Sequence, residues 1–243
     1  MKALVIPDIH LKPFIFDRAD RILQSGQADF AVQMGDLVDD WGQITNVGKY
    51  NQTMKRAYDF HKAHPDTLWV MGNHDYDYIH PFADARSSGH STAAEADMSE
   101  WLAEMNDIGA RPQFVHIVHN VIFSHAGLTK SWMARLLGLY TDYKAPENDE
   151  QLSLLVNFAA PADLFMESSP IWARPQFKVD HQLYDYRNYL QVVGHTPVES
   201  VNLEDNLLST DTFSTYRDGT PFGDQTFAIV DTVTKEWRLA KEE

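Results

Sequence analysis

The chain has 243 residues, 44% of them hydrophobic, which is enough for a substantial core and marks it as globular. Thirty-five acidic residues against 20 basic ones give a formal charge of −15, so bulk nucleic acid and anionic membrane are repelled unless a local positive centre intervenes. Cysteine is absent, which excludes disulfides and thiolate metal sites and leaves His, Asp, Glu and Asn as the available metal ligands.

The opening MKALVIPDIH is too short in apolar residues for a secretory leader. No later run approaches the roughly 20 apolar residues of a membrane span, so a cytoplasmic protein is expected. ALVI (3–6) reads as a buried strand ending at Pro7 and Asp8, and FDRADRILQSG carries helical spacing through Ala19, Ile22 and Leu23. The unit recurs: DFAVQM (29–34) is a strand ending at GDLVDD, NQTMKRAYDFHKAH a helix, and TLWVMG (67–72) a strand ending at NHD. Such βα repetition predicts parallel strands in a layered α/β architecture.

A helix around TAAEADMSEWLAEMN follows, then two short strands in FVHIVHNVIFSHAG that meet at a turn near His119 and Asn120. Residues 129–190 are the least regular, with a helix expected at DEQLSLLVNFAA. YLQVVGHTPV, NLLSTDTF and a closing hairpin, TFAIVDTVTKEWRL, are assigned to a second, more antiparallel sheet packed on the first. No internal repeat or low-complexity linker divides the chain, so one domain spanning 1–243 is expected.

Chemistry-bearing residues gather where strands end: Asp8-x-His10, Gly35-Asp36-x-x-Asp39, Gly72-Asn73-His74-Asp75, Ser124-His125-Ala126-Gly127 and Gly194-His195-Thr196-Pro197. Any one of these is ordinarily a cap, a turn or a packed histidine. Five in matching positions point to one shared cleft, because open α/β sheets bind ligands outside the carboxyl ends of their strands.

In DIH, GDLVDDWG, GNHD, SHAGL and GHTPV, in that order, and in the later STDT, the chain resembles the calcineurin-like metallophosphoesterases, specifically the branch of Ser/Thr protein phosphatases and their bacterial relatives. The resemblance runs from Asp8 to about Asp211 and implies a four-layer αββα sandwich with a dinuclear metal site at the strand ends. It assigns one divalent ion to Asp8, His10 and Asp36, and a second to Asp36, Asn73, His125 and His195, with Asp36 bridging. Manganese is the expected metal; iron, zinc or cobalt also suit such ligands.

The implied reaction is hydrolysis of a phosphomonoester or phosphoanhydride by a metal-bridging hydroxide, on a phosphoprotein, a nucleotide or a dinucleoside polyphosphate. His74 would protonate the leaving oxygen and Asp39 would hold His74 protonated. A phosphodiesterase of the same superfamily, or a non-catalytic metal-binding scaffold, are the alternatives. Pro197 stands where the diesterase branches carry a second histidine ligand, which favours monoester or anhydride chemistry.

Gly72 is expected to permit a tight backbone turn beneath the metals. Asp75 is either a partner behind the ligands or a simple turn residue. Asp40 replaces the arginine that many protein phosphatases place after this motif, so phosphate must be held differently. Arg174, in IWARP, resembles the Trp-x-Arg stretch of bacterial relatives and is the substrate-binding candidate; otherwise it is a surface arginine. His61, His64, His116 and His119 receive no role, and Tyr76 and Tyr78, near His80 and His90, either stack on a substrate base or pack.

Overall fold

The computed structural model describes residues 1–80, 87–139, 146–177, 182–185 and 188–242. Strand β1 (Lys2–Ile6) is apolar at every position from Ala3 onward, as befits a strand covered on both faces. Ala3 and Val5 face one core cluster and Leu4 and Ile6 another, the period-two division a pleated strand imposes. Helix α1 (Phe14–Gln24) leads to β2 (Phe30–Gln33), and helix α2 (Val47–Ala63) to β3 (Leu68–Trp69). The three strands pair in parallel, Ala3 opposite Phe30 and Val32 opposite Leu68, as the repeat predicts.

After the short α3 (Asn73–Tyr76) and α4 (Glu95–Asp107), β4 (His116–Val118) and β5 (Val121–Phe123) form the expected hairpin. Helices α5 (Lys130–Leu139), α6 (Asp149–Asn157) and α7 (Pro161–Leu164) follow, of which only α6 is legible from periodicity. Asn148 caps α6 by accepting the Gln151 amide at 3.0 Å, a contact that typically contributes about 1 kcal/mol. The remaining strands are β6 (Leu190–Val193), β7 (Asn202–Glu204), β8 (Leu207–Ser209), β9 (Ala228–Asp231) and β10 (Trp237–Leu239).

The strands form two five-stranded sheets, ordered β10-β9-β1-β2-β3 and β4-β5-β6-β8-β7. The closing hairpin therefore belongs to the first sheet, not the second. Its alternation reports a half-buried hairpin but not which edge it joins. The free edge of β1 takes it, with β9 antiparallel from Lys2 opposite Asp231 to Val5 opposite Ala228. Nor is the second sheet the more antiparallel one: β5, β6 and β8 run parallel, just as β1, β2 and β3 do.

Between the sheets lie Val5, Val32, Val70, Phe123, Val192, Leu208 and Val230. Phe16, Met54, Ala57, Phe60 and Met98, from α1, α2 and α4, cover the outer face of the first sheet. Trp132, Leu136, Leu155 and Val156, from α5 and α6, cover Ile122 of the second. The result is an αββα sandwich in which two sets of three parallel strands end at a common edge.

Candidate active site

At that edge β1 delivers Asp8 and His10, β2 delivers Asp36 and Asp39, β3 delivers Asn73 and His74, and β5 and β6 deliver His125 and His195. His10, Asp36, Asp39, Asn73, His74, Arg174 and His195 line one cleft of about 660 Å³. Asp8 and His125 stand behind it, within 3.9 Å of His10 and 3.3 Å of Asp36 respectively. The eight residues assigned to the metals and to acid catalysis, together with Arg174, thus lie together at one edge.

Hydrogen bonds fix the direction of each donor atom. His125 Nδ1 lies 2.8 Å from the Met34 carbonyl, which can only accept, so the ring proton sits there and Nε2 faces inward. Around Nε2 stand Asn73 Oδ1 at 3.0 Å, His195 Nδ1 at 3.1 Å and Asp36 Oδ2 at 3.3 Å. The Asn73 amide nitrogen donates to Ser87 Oγ at 3.0 Å, which turns its oxygen toward the others. Nitrogen and oxygen atoms of four side chains therefore converge; Asp36 favours the protonated form of His125 in the metal-free site, and a divalent cation that displaced that proton would find a fitting donor set.

His10 is oriented in the same way, with Nδ1 2.9 Å from the Asp39 carbonyl and Nε2 turned toward Asp36 Oδ2 at 3.7 Å and Asp8 Oδ2 at 3.9 Å. Among the described residues, two groups bring their ligand atoms within 4.8 Å of one another: His10, Asp36 and His74, and Asp36, His125 and His195. Asp36 is common to both. His74 enters the first group in the place the sequence gives to Asp8, whose oxygens accept the His195 amide at 2.9 and 3.2 Å.

The local cost of this assembly is visible in backbone and charge. His10, Asp36, Asp39 and His195 have φ of 42°, 51°, 62° and 61°, a region that costs non-glycine residues roughly 1–2 kcal/mol each. Burial, and then the charges of Asp211 and Asp36, push the Asp8 carboxyl well above its ordinary range. Burial has the same tendency at Asp36, but His125 and His74 overcome it and hold that carboxyl well below. His195 is pushed well below an ordinary imidazole by burial and by His125.

A raised carboxylate pKa means that ionised Asp8 opposes folding, by an amount that grows as pH rises from its unfolded value to its folded one and is complete above that. Asp8→Asn retains an acceptor for the His195 amide and removes the charge. In metal-free protein at pH 7 it is expected to raise Tm, by roughly 2–4 °C for each kcal/mol relieved. Differential scanning calorimetry in chelator reads this, and a lowered Tm contradicts it.

His74 donates through Nδ1 to Asp39 Oδ2 at 2.9 Å. Burial lowers its pKa, but the charges of Asp36 and Asp39 and this hydrogen bond prevail and carry it up to about 9. Asp39 is itself clamped: its Oδ1 accepts from Tyr50 and Tyr78 hydroxyls at 2.8 and 2.6 Å. Tyr50 is not marked in the sequence, because it lies on α2, far from any strand-end motif, and Tyr78 is marked there only as a stacking or packing residue, not as a partner of Asp39. Tyr78 is packed, with the His90 ring stacked at 4.4 Å, and Tyr76 is buried, so neither offers a face to a substrate.

Asp75 is more than a turn residue. Buried, with a carboxyl that burial and then Asp36 raise to about 7, it accepts the Leu37 amide at 2.8 Å and the Gly72 amide at 3.3 Å. It thereby ties together the loops after β2 and β3. Gly72 has φ −87° and ψ 166°, ordinary extended backbone, so the expected tight turn is not its reason. A Cβ there would stand 2.1 Å from Asp36 Oδ1, and one at Gly194 would stand 2.1 Å from Asp8 Oδ1. Both glycines let backbone approach a carboxylate closely, and Gly72→Ala is expected to displace Asp36 and weaken metal binding, as calorimetric metal titration would read.

Arg174 lines the cleft and donates to Thr196 Oγ1 at 3.0 Å. Asp211, from STDT, is buried, with Ser214 Oγ donating to it at 2.7 Å. His61, His64, His116 and His119 are engaged by Trp69, Asp20, the Trp69 carbonyl and Thr232, away from the cleft.

A two-sheet sandwich whose strand ends gather imidazoles and carboxylates around a shared aspartate defines the class of metal-dependent hydrolases. The chain belongs to the calcineurin-like phosphoesterase family, whose model matches residues 1–213. It is thus a metallophosphoesterase, a hydrolase acting on phosphate esters. Among solved structures, a protein serine/threonine phosphatase from Saccharomyces cerevisiae, described as similar to human phosphatase PP5, has the same fold. It is 15% identical at TM-score 0.54, with 100% of this chain and 80% of that one covered. A hypothetical protein from Pyrococcus horikoshii and a metallophosphoesterase from Sphaerobacter thermophilus are 10% and 16% identical at TM-scores 0.46 and 0.44. Each covers 100% of this chain and 88% of its own. No curated protein sequence matches. No helix among the described residues is long and apolar enough to cross a membrane.

Proposed function

We propose that the chain is a phosphatase that holds two divalent ions, manganese foremost, and hydrolyses a phosphomonoester or phosphoanhydride on a phosphorylated small molecule or phosphoprotein. The observation that carries this reading is Asp36, shared by two donor groups in one cleft beside a histidine set to give up a proton. Asp8, His10 and Asp36 on one side, and Asp36, Asn73, His125 and His195 on the other, would hold the ions. When bound, such a pair activates water for in-line attack and neutralises charge on the phosphoryl oxygens.

The chain's own residues supply the rest. Arg174, whose guanidinium reaches the cleft without a carboxylate partner among the described residues, would grip phosphoryl oxygens. His74, whose ring Asp39 orients and whose protonated form it favours, would deliver its proton to the leaving oxygen. Pro197 offers no ligand atom beside His195, which supports monoester or anhydride over diester substrates.

Hydrolysis of p-nitrophenyl phosphate and bis-p-nitrophenyl phosphate, with Mn²⁺ and with chelator, tests this. The expected result is turnover that chelator abolishes and Mn²⁺ restores, with the monoester preferred. Faster cleavage of the diester would move the protein to the phosphodiesterases.

A further inference from the structure

Trp41 follows directly on Asp40, lines the same cleft as His10, His74 and His195, and is 46% exposed. It is exposed but not loose. Its Nε1 donates to the Thr215 carbonyl at 3.1 Å, and the Arg217 guanidinium lies 4.8 Å from the ring centroid. The indole is thus pinned by a loop remote in sequence, which makes a fixed flat surface at the cleft mouth. Ile44, 48% exposed, extends the apolar surface beside it.

The positive charges at the cleft mouth around Asp40 and Trp41 divide into two kinds. Lys12 and Lys49 stand 3.7 and 3.8 Å from Asp40, so the aspartate found where related phosphatases carry arginine is committed to two lysines. Arg217 forms no ion pair with a carboxylate among the described residues, in a chain with 35 acidic residues. The contact with the Trp41 ring uses none of the guanidinium's five N–H donors in an ion pair, so they remain available for an anion. One cleft thus holds the candidate cation ligands, an arginine with no carboxylate partner among the described residues, and a flat apolar platform.

We infer that Trp41 and Arg217 form a subsite for the non-scissile part of a nucleoside polyphosphate, Trp41 stacking the base and Arg217 binding a phosphate that is not cleaved. The inference rests on the phosphatase reading and narrows its substrate. A nucleotide supplies both a flat ring and a second anion, whereas a phosphotyrosine side chain supplies a ring without a second phosphate, and a phosphoserine peptide supplies neither from its own side chain. A cleft of about 660 Å³ also has room for a ligand of nucleotide size. Hydrolysis would break the bond from the terminal phosphorus to its bridging oxygen and form one from phosphorus to the oxygen of water. The proton from His74 would pass to the departing nucleotide.

The test compares wild type, Trp41→Ala, Trp41→Phe and Arg217→Ala in Mn²⁺, with ATP, glycerol 2-phosphate and a phosphoserine peptide as substrates. Calorimetry with a non-hydrolysable imido analogue of ATP measures binding independently of turnover. Trp41→Ala and Arg217→Ala are each expected to weaken analogue binding and raise KM for ATP about tenfold. Their constants for glycerol 2-phosphate should be unchanged, and Trp41→Phe should restore most of the affinity for the analogue. Equal effects on all substrates, unaltered analogue binding, or a loss confined to the phosphopeptide would overturn the inference. Absence of metal-dependent turnover on every substrate would instead overturn the phosphatase reading, with calorimetry still deciding the subsite.

Discussion

Asp36→Asn is expected to abolish binding of the divalent pair and to lower turnover by roughly 10³-fold or more. Asp36 Oδ2 lies 3.3 Å from His125 Nε2 and 3.7 Å from His10 Nε2, so a single carboxylate completes both donor groups. Asparagine keeps an oxygen for the His74 amide, which donates to Asp36 Oδ1 at 3.0 Å, but would supply no charge between the proposed pair of dications. In metal-free protein the same carboxylate offsets His125 and His74, so its depressed pKa contributes stability that is present above its unfolded value and lost in acid. The variant should therefore melt somewhat lower at pH 7 while keeping its circular dichroism. Full activity with both ions retained would show that the groups are not coupled through Asp36.

His74→Asn should reduce kcat about 10²–10⁴-fold while both ions stay bound, the range expected when a positioned general acid is removed. The variant separates proton delivery from metal binding because Asn73, the neighbouring oxygen donor, is left in place. The loss should shrink as the leaving group improves, being largest for an alkyl phosphate and smallest for 2,4-dinitrophenyl phosphate, whose leaving oxygen needs no proton. A uniform loss across leaving groups, or loss of metal, would assign His74 to the ligand group His10, Asp36 and His74 rather than to acid catalysis.

The strand ends were the legible part of the sequence. A short β-branched run stopping at Asp8, Asp36 or Asn73 reports both a buried strand and the residue placed at its carboxyl end, so the position of these residues and the parallel order of β1, β2 and β3 could be read directly, while a role as metal ligands came only from the family resemblance. Sheet membership of β9 and β10 could not be read, because alternation fixes the face a strand buries and not the edge it joins. Helix α5 hides in a stretch where Trp132, Met133 and Leu136 are buried against a sheet that forms only when distant segments meet. The hold of Tyr50 and Tyr78 on Asp39 is invisible for a similar reason: their hydroxyls meet it only because tertiary packing brings α2 and the turn after α3 over Asp39. Gly72 shows the opposite limit, being marked by the motif while its reason, a 2.1 Å approach to Asp36 Oδ1, is purely spatial.

The central claim, that Asp36 joins two cation sites into one phosphatase centre, is tested most directly by titrating metal-free protein with Mn²⁺ while following bound metal and p-nitrophenyl phosphate hydrolysis together. Two ions per chain, with activity rising only as the second binds, is the predicted result. One ion per chain at full activity, or two ions with no hydrolysis of any phosphate ester, would contradict it.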